Sequence, residues 1–326
     1  MISVRRMVKH FPIHKGLLGR RSGVVRAVED VSFELTTNQT LALVGESGCG
    51  KTTTGRAMLR LVEPDSGEVL YRGQNLLTLP PEALRPLRRR LQIIFQDPYA
   101  SLNPRHSVER ILTGPMILHG VCTRAEARTR AAALLNEVGL EANLLSRYPH
   151  EFSGGQRQRI GIARALSVEP DLIVCDEAVS ALDVSVRAQV LNLLAELQER
   201  RHLAYLFISH DLSVVRHLAD IVAVMYLGRI VEQAPRDALF SQPYHPYTQA
   251  LLSAVPEPRP GLARRRIRLT GEIPSPSSPP TGCRFHTRCP LRHGRCVQET
   301  PATYTVGPGH EVACHLYEAS TERQVL

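Results

Sequence analysis

Residues 45–53 read Gly45-Glu46-Ser47-Gly48-Cys49-Gly50-Lys51-Thr52-Thr53: a glycine, four residues, then Gly-Lys-Thr. This is the spacing of a phosphate-binding loop. It constrains the fold because such a loop works only between a strand and a helix. There, successive backbone N–H groups and the positive helix end converge on an anion. The flanks comply. Thr40-Leu41-Ala42-Leu43-Val44 is a short apolar run that reads as a buried strand, and 52–62 sets Met58, Leu59, Leu61 and Val62 on a helical period. Lys51 is then expected to reach the β- and γ-phosphates, and the Thr52 hydroxyl to ligate Mg²⁺. A chance match in a glycine-rich loop is the bland alternative, and the flanking strand and helix argue against it.

With 326 residues, 43% of them hydrophobic and 22% charged, the chain can hold one large domain and a small appendage. Its net charge of +9 is compatible with nucleic acid, an anionic membrane face or merely a basic surface. The basic clusters, 85–90 and 264–268, have no aromatic residues among them, so bases lack a stacking platform and a solvated surface is the better reading. No run approaches the length of a membrane span, so a membrane role has to come through partner subunits. Arg5-Arg6 is followed by Met7-Val8-Lys9-His10-Phe11-Pro12 rather than an apolar segment with a cleavage site, so a cytoplasmic chain is expected. Seven cysteines there argue for metal ligation or plain burial rather than disulfides.

Along the chain, residues 1–40 alternate short apolar runs with turns, as an antiparallel edge sheet would, and Phe11 lies just past the expected first strand. Stacking on an adenine ring and ordinary packing are both open to Phe11. Leu91-Gln92-Ile93-Ile94-Phe95 is another buried strand; it ends on Gln96-Asp97-Pro98, and a strand's carboxyl end is where ligands sit in open α/β sheets. Residues 99–152 become helical, with a capping box at Thr123-Arg124-Ala125-Glu126 and a stop at Gly139. Phe152-Ser153-Gly154-Gly155-Gln156 opens a helix running to Leu166, a second anion site built like the first. Leu172-Ile173-Val174-Cys175-Asp176-Glu177 is a strand ending in two carboxylates, whose mutual repulsion makes Mg²⁺ their natural companion. Val186, Val190, Leu193, Leu194 and Leu197 mark an amphipathic helix. The strand 203–208 ends on Ser209-His210-Asp211, and two further strands follow near 221–225 and 229–232. A Pro-, Ser- and Arg-rich stretch then reads as an extended linker.

Taken together and in this order, the motifs resemble the ATP-binding subunits of ABC transporters over nearly the whole chain. Residues 45–53 look like Walker A, Gln96 like the Q-loop, 152–156 like the signature, 172–176 like Walker B, and Ser180-Ala181-Leu182-Asp183 like the D-loop. The closer likeness is to the dipeptide/oligopeptide importer branch (the DppF/OppF type). It rests on Phe95-Gln96-Asp97-Pro98 with Ser101-Leu102-Asn103-Pro104-Arg105, and on His245-Pro246-Tyr247-Thr248-Gln249-Ala250-Leu251-Leu252. The stretches around Gly282-Cys283-Arg284-Phe285-His286 and Val312-Ala313-Cys314 resemble that branch's tail. One departure is Ala178, where the family usually has Pro; it puts the stiffness of the turn in doubt rather than the chemistry.

The resemblance implies an α/β P-loop NTPase fold: a RecA-like mixed sheet core, an antiparallel β subdomain and an inserted helical subdomain over about 99–165. It implies an ATP-binding domain over 1–255, a linker over 256–282 and a Cys-rich domain over 283–326. Lys51, Gln96, Glu177 and His210 would act in hydrolysis, with Glu177 on the water and His210 sensing the γ-phosphoryl group. Thr52, Gln96 and Asp176 would hold Mg²⁺. Gly45, Glu46, Ser47, Gly48, Cys49, Gly50, Thr53 and Phe11 would contact ATP in this chain, while Ser153, Gly154, Gly155, Gln156 and Asp183 would serve the nucleotide of a second subunit closed head to tail. That second subunit is expected to be a DppD/OppD-like chain, joined by two permease subunits and, indirectly, an extracytoplasmic solute-binding protein, at the cytoplasmic face of the cell membrane. Peptide is the expected cargo, with nickel or glutathione as alternatives. A soluble ABC ATPase acting on nucleic acid or the ribosome is the rival class, and it usually carries two cassettes or a long coiled coil.

Cys283, Cys289, Cys296 and Cys314 are spaced C-x5-C-x6-C-x17-C. Four thiolates can hold Zn²⁺ or a [4Fe–4S] cluster. Structural zinc usually takes close ligand pairs, so the wide spacing and the resemblance both favour a cluster, with zinc or unligated thiols as alternatives. A tail so rich in Pro needs some staple.

Overall fold

The computed structural model describes residues 1–15, 20–255 and 266–318. Residues 256–265 of the expected linker, Arg264 and Arg265 of the second basic cluster, and residues 319–326 of the tail lie outside the described residues. In chain order the strands are β1 (Ile2–Lys15), β2 (Arg20–Leu35), β3 (Thr40–Val44), β4 (Ser66–Tyr71), β5 (Gln74–Asn75), β6 (Leu91–Ile94), β7 (Leu172–Asp176), β8 (Ala204–Ser209), β9 (Ile221–Tyr226), β10 (Arg229–Pro235), β11 (Tyr304–Gly307) and β12 (His310–Val312). The helices are α1 (Lys51–Met58), α2 (Pro81–Leu87), α3 (Pro98–Ser101), α4 (Val108–Leu118), α5 (Arg124–Glu137), α6 (Gly154–Leu166), α7 (Val184–Arg201), α8 (Leu212–Leu218), α9 (Arg236–Ser241), α10 (Pro246–Ser253) and α11 (Gly294–Gln298). They group into two units.

The first unit takes in the described residues of Met1–Glu34, Leu41–Leu77 and Ser209–Leu326. It holds an antiparallel sheet in the order β2-β1-β4-β5, the edge sheet expected of the N-terminal region. Phe11 lies inside β1 rather than past it, because the strand runs on to Lys15. A second set of strands pairs β3 parallel to β9, β9 antiparallel to β10, and β10 to β12, with β11 outermost. Every residue of β3 is buried, as a central parallel strand requires. The helix after the loop stops at Met58, not Val62. Leu59 N–H donates to the Gly55 carbonyl, and Arg60 turns the chain out at φ 52° while its guanidinium bonds Glu63. Leu61 is therefore exposed, although it continues the apolar period.

The second unit comprises Leu35–Thr40 and Thr78–Ile208. Its strands β6, β7 and β8 are parallel neighbours, with Leu91 opposite Leu172 and Leu172 opposite Ala204. Residues 99–165, expected to form a helical insertion, carry α4, α5 and most of α6. Thr123 and Glu126 form the reciprocal capping box at the start of α5, and Gly139 follows its end at φ 73°. Much of the 85–90 basic cluster bonds within the unit. Arg89 pairs with Glu169 and the Val168 carbonyl, and Arg90 pairs with Asp171.

The described part of the tail is built into the first unit. Strand β12 adds to β10 with Glu232 opposite Val312, and Phe285 is buried in a core with Tyr226, Tyr247 and Leu252. Burying such a ring contributes about 2–3 kcal/mol. Strands β11 and β12 escaped sequence reading because they are short and polar around a Gly-Pro-Gly turn. Their register rests on Glu232, 1% exposed, which accepts from Tyr244 N–H, His245 N–H and His310 Nε2 at 2.7, 2.9 and 2.7 Å.

Beside it, His245 caps α10: its Nδ1 accepts from Tyr247 N–H at 3.1 Å, a bond only the unprotonated ring can make. Burial lowers the His245 pKa from 6.5 to about 4, against the pull of Glu232. The unfolded chain therefore binds this proton at a higher pH than the folded one. The stability tied to His245 is whole above its unfolded pKa and drains as pH falls toward 4, by about 2 kcal/mol between pH 7 and pH 5. Denaturant unfolding at both pH values should record that loss, and His245→Asn should shrink it.

Candidate nucleotide site

The phosphate loop sits at the carboxyl end of β3, where the chain passes too close to its neighbours for side chains. A Cβ at Gly45, φ 153°, would lie 2.2 Å from the Met225 carbonyl oxygen, and one at Gly50, φ 109°, would lie 2.0 Å from that of Ala27. Gly48, also at positive φ, faces open space. Lys51 is 4% exposed and folds back over the loop, donating from Nζ to the Gly45 and Glu46 carbonyls at 2.8 and 3.0 Å. The ammonium thus sits over a ring of backbone that suits a triphosphate. Thr52 and Thr53, half-buried, stand in the first turn of α1. Ser47 is exposed, and Cys49 is buried, with its thiol pKa raised by that burial against the charge of Lys51. Two residues that sequence reading missed steady the loop: Tyr247, whose hydroxyl accepts from Glu46 N–H at 2.9 Å, and Arg288, which pairs with the Glu46 carboxylate. At 201 and 242 residues' separation, no local pattern could reveal them.

Other expected residues of the first unit are His210 and Phe11. His210 is exposed, directly after β8, and the following Asp211 caps α8 through Ser213 N–H. Phe11 is 37% exposed, with Lys9 Nζ 5.3 Å from its ring centre.

In the second unit β7 carries Asp176, 3% exposed, as its last residue. Glu177 follows at φ 49°, a left-handed conformation that costs a non-glycine residue about 1–2 kcal/mol. The turn is held regardless of the missing proline. Glu177 N–H donates to the Ile208 carbonyl, Ser180 N–H and Oγ both donate to the Glu177 carbonyl at 3.1 and 2.9 Å, and Ala178 is 2% exposed. Gln96 Nε2 donates to Glu177 Oε2 at 3.0 Å, so two residues 81 apart in sequence meet. Ser153 and Gln156 form the reciprocal capping box of α6, with Ser153 and Gly154 exposed at the helix start. Gly155 packs against α7: a Cβ there would fall 2.4 Å from Val186 Cγ1. Asp183, exposed, stands at the head of α7.

Cys283, Cys289, Cys296 and Cys314 are neighbours, with Cys283 N–H donating to the Cys296 carbonyl at 2.9 Å. Burial, with smaller contributions from the other thiols' charges, raises Cys283 and Cys314 to about 11. Yet no group of three or more His, Cys, Asp or Glu side chains among the described residues is arranged to hold a metal ion. Neither a cluster nor zinc is thereby supported. The described tail is held by Phe285 in the core, β12 on β10, and the ion pairs of Arg284 with Glu29 and Arg288 with Glu46.

Residues 28–180 match the family described as "ABC transporter", and residues 231–296 match "Oligopeptide/dipeptide transporter, C-terminal region". The chain is 53% identical to the oligopeptide transport ATP-binding protein AppF of Bacillus subtilis, over 97% of each chain. It is 52% identical to the dipeptide transport ATP-binding protein DppF of Escherichia coli, over 94% of this chain and 91% of that one. Among solved structures, the dimeric ATP-binding cassette MJ0796 in a post-hydrolysis state with ADP and Pi matches with a TM-score of 0.64 and 25% identity, over 72% of this chain and 99% of that one. The chain belongs to the ABC transporter family, as an ATP-hydrolysing ATP-binding subunit with a C-terminal region of the oligopeptide/dipeptide transporter type.

Proposed function

We propose that this subunit drives the import of di- or oligopeptides, with Glu177 as the base that activates water. The observation that carries the catalytic part is the Gln96–Glu177 hydrogen bond. It holds the carboxylate as an acceptor and ties it to Gln96, two residues past the end of β6. Lys51 and the loop's N–H groups take the phosphates, while Thr52 and Asp176 take Mg²⁺, which offsets charge on the β- and γ-phosphates when bound. His210 stands in for the γ-phosphoryl sensor. Ser153 with Gly155 completes the ATP site of a second ATP-binding subunit, and Asp183 lies in the segment that meets it.

Support for a permease partner comes from a groove of about 580 Å³ in the second unit, beside Gln96. Phe95, Ile93 and Leu118 are among its apolar lining residues, and Arg110 and Arg164 bring positive charge to it. Such a groove suits a short apolar helix carrying an acidic side chain. Among the described residues no helix is long and apolar enough to cross a membrane. Leu118, 67% exposed, is the natural probe. Leu118→Asp should lower transport per ATP hydrolysed at least about tenfold, as expected when a buried apolar contact of 1.5–3 kcal/mol is replaced by a charge.

The cargo assignment rests on the similarity of the chain, tail included, to the peptide transport proteins. Reconstituting the subunit with its permease pair and second ATP-binding chain in vesicles decides it. ATP-dependent uptake of a labelled dipeptide or pentapeptide supports the reading. Uptake of nickel or glutathione alone would replace it.

A further inference from the structure

A carboxylate in a phosphate loop is an electrostatic oddity, because it stands close to where a triphosphate must lie. Glu46 directly follows Gly45, and its own carbonyl accepts from Lys51 Nζ. Arg288 answers it. Its Nη1 and Nη2 donate to Glu46 Oε2 and Oε1 at 2.7 and 3.0 Å, the fork geometry in which guanidinium fits carboxylate best. The Arg288 side chain is 8% exposed, and its guanidinium lies 6.0 Å from the Tyr226 ring centre. Pairing with Glu46 raises the Arg288 pKa. Four residues earlier Arg284 donates to the Leu227 carbonyl and pairs with Glu29; the next residue, Gly228, donates its N–H to the Cys49 carbonyl at 2.8 Å. One short tail segment, 284–288, thus bonds the phosphate loop directly at Glu46 and braces Leu227, the neighbour of the Gly228 that holds Cys49.

We propose that Arg288 is a positioning residue for ATP: by neutralising and fixing Glu46 it keeps the phosphate loop receptive to the triphosphate, so that ATP binding and docking of the tail segment strengthen each other. When Lys51 leaves the Gly45 and Glu46 carbonyls for the phosphates, residue 46 keeps two tethers, Arg288 on its side chain and Tyr247 on its N–H. Reciprocity follows from linkage: whatever Arg288 adds to ATP affinity, ATP adds to the docking of 284–288. The inference rests on residues 45–53 being the ATP cradle, which Lys51→Ala tests separately.

The test is nucleotide titration of the full chain with amide exchange over 283–289. Arg288→Ala should weaken ATP binding by roughly 5- to 150-fold, the usual span of coupling between sites. Arg288→Lys, which keeps the charge but loses the fork, should fall between. Adding Glu46→Gln to Arg288→Ala should recover much of the affinity, since the unneutralised carboxylate is what opposes the phosphates. A purely structural arginine would instead give a further, additive loss. In the unaltered protein ATP should slow exchange across 283–289, a readout that needs no variant to fold. ATP affinity within about twofold of the original in Arg288→Ala, further loss in the double variant, or no ATP effect on exchange at 283–289 would each overturn the proposal. Unchanged ATP binding in Lys51→Ala would sink the cradle reading instead.

Discussion

Glu177→Gln is expected to leave ATP binding intact and to lower steady-state turnover by about 10²–10⁴-fold, the usual reach of a positioned base. The substitution is close to isosteric, so the left-handed turn at φ 49° and the Ser180 bonds to the residue 177 carbonyl should survive it. What it removes is the ability to accept a proton from water. It also converts the Gln96 contact from amide-to-carboxylate into amide-to-amide, weakening a charge-assisted bond into a neutral one. With the charge gone, a closed ATP-bound dimer should persist. Hydrolysis assays and gel filtration with ATP check both halves. Turnover within a few-fold of the original would take Glu177 out of its role, and Gln96 would then need another reason for its position.

The sequence announced those parts of the fold whose cause is local. Residues 40–44 were readable as a strand because a fully buried parallel strand is a continuous apolar run, and β3 has those limits. The capping box at Thr123 was readable because both of its partners lie within one turn. Helix α1 was overextended because Leu61 keeps the apolar period, while the stop comes from Arg60 adopting a left-handed conformation, for which arginine gives no signal. The anchoring of the tail was hidden for a related reason. Four cysteines at wide spacing suggested that metal must staple it. The staple in the structure is nonlocal: one phenylalanine in a distant core, one strand on the edge of β10, and two arginines on Glu29 and Glu46. The same blindness hid Tyr247 and Arg288 beside the phosphate loop, whereas the loop's own glycines spoke plainly.

The loop and the signature should also part company under mutation, because they answer to different nucleotides. Lys51→Ala removes a buried ammonium whose bonds to the Gly45 and Glu46 carbonyls mark where charge is focused. Hydrogen bonds to charged groups are worth about 1.5–3 kcal/mol, so ATP binding to the isolated subunit should weaken roughly 10- to 150-fold. Ser153→Arg acts on an exposed helix start that has no part in that cradle. Losing the Ser153 cap costs α6 about 1 kcal/mol, well short of unfolding a domain of this size. The new guanidinium would instead obstruct the surface on which a second subunit's phosphates are expected to rest. ATP binding to this chain's own loop should therefore stay within about twofold, while hydrolysis by the assembled pair disappears, as when a transition-state donor worth several kcal/mol is displaced. Titrating nucleotide onto the isolated subunit and measuring hydrolysis in the assembled pair separates the two effects. Equal loss of binding in both variants would mean that Ser153 serves the same nucleotide as Lys51 and that no site is shared across an interface.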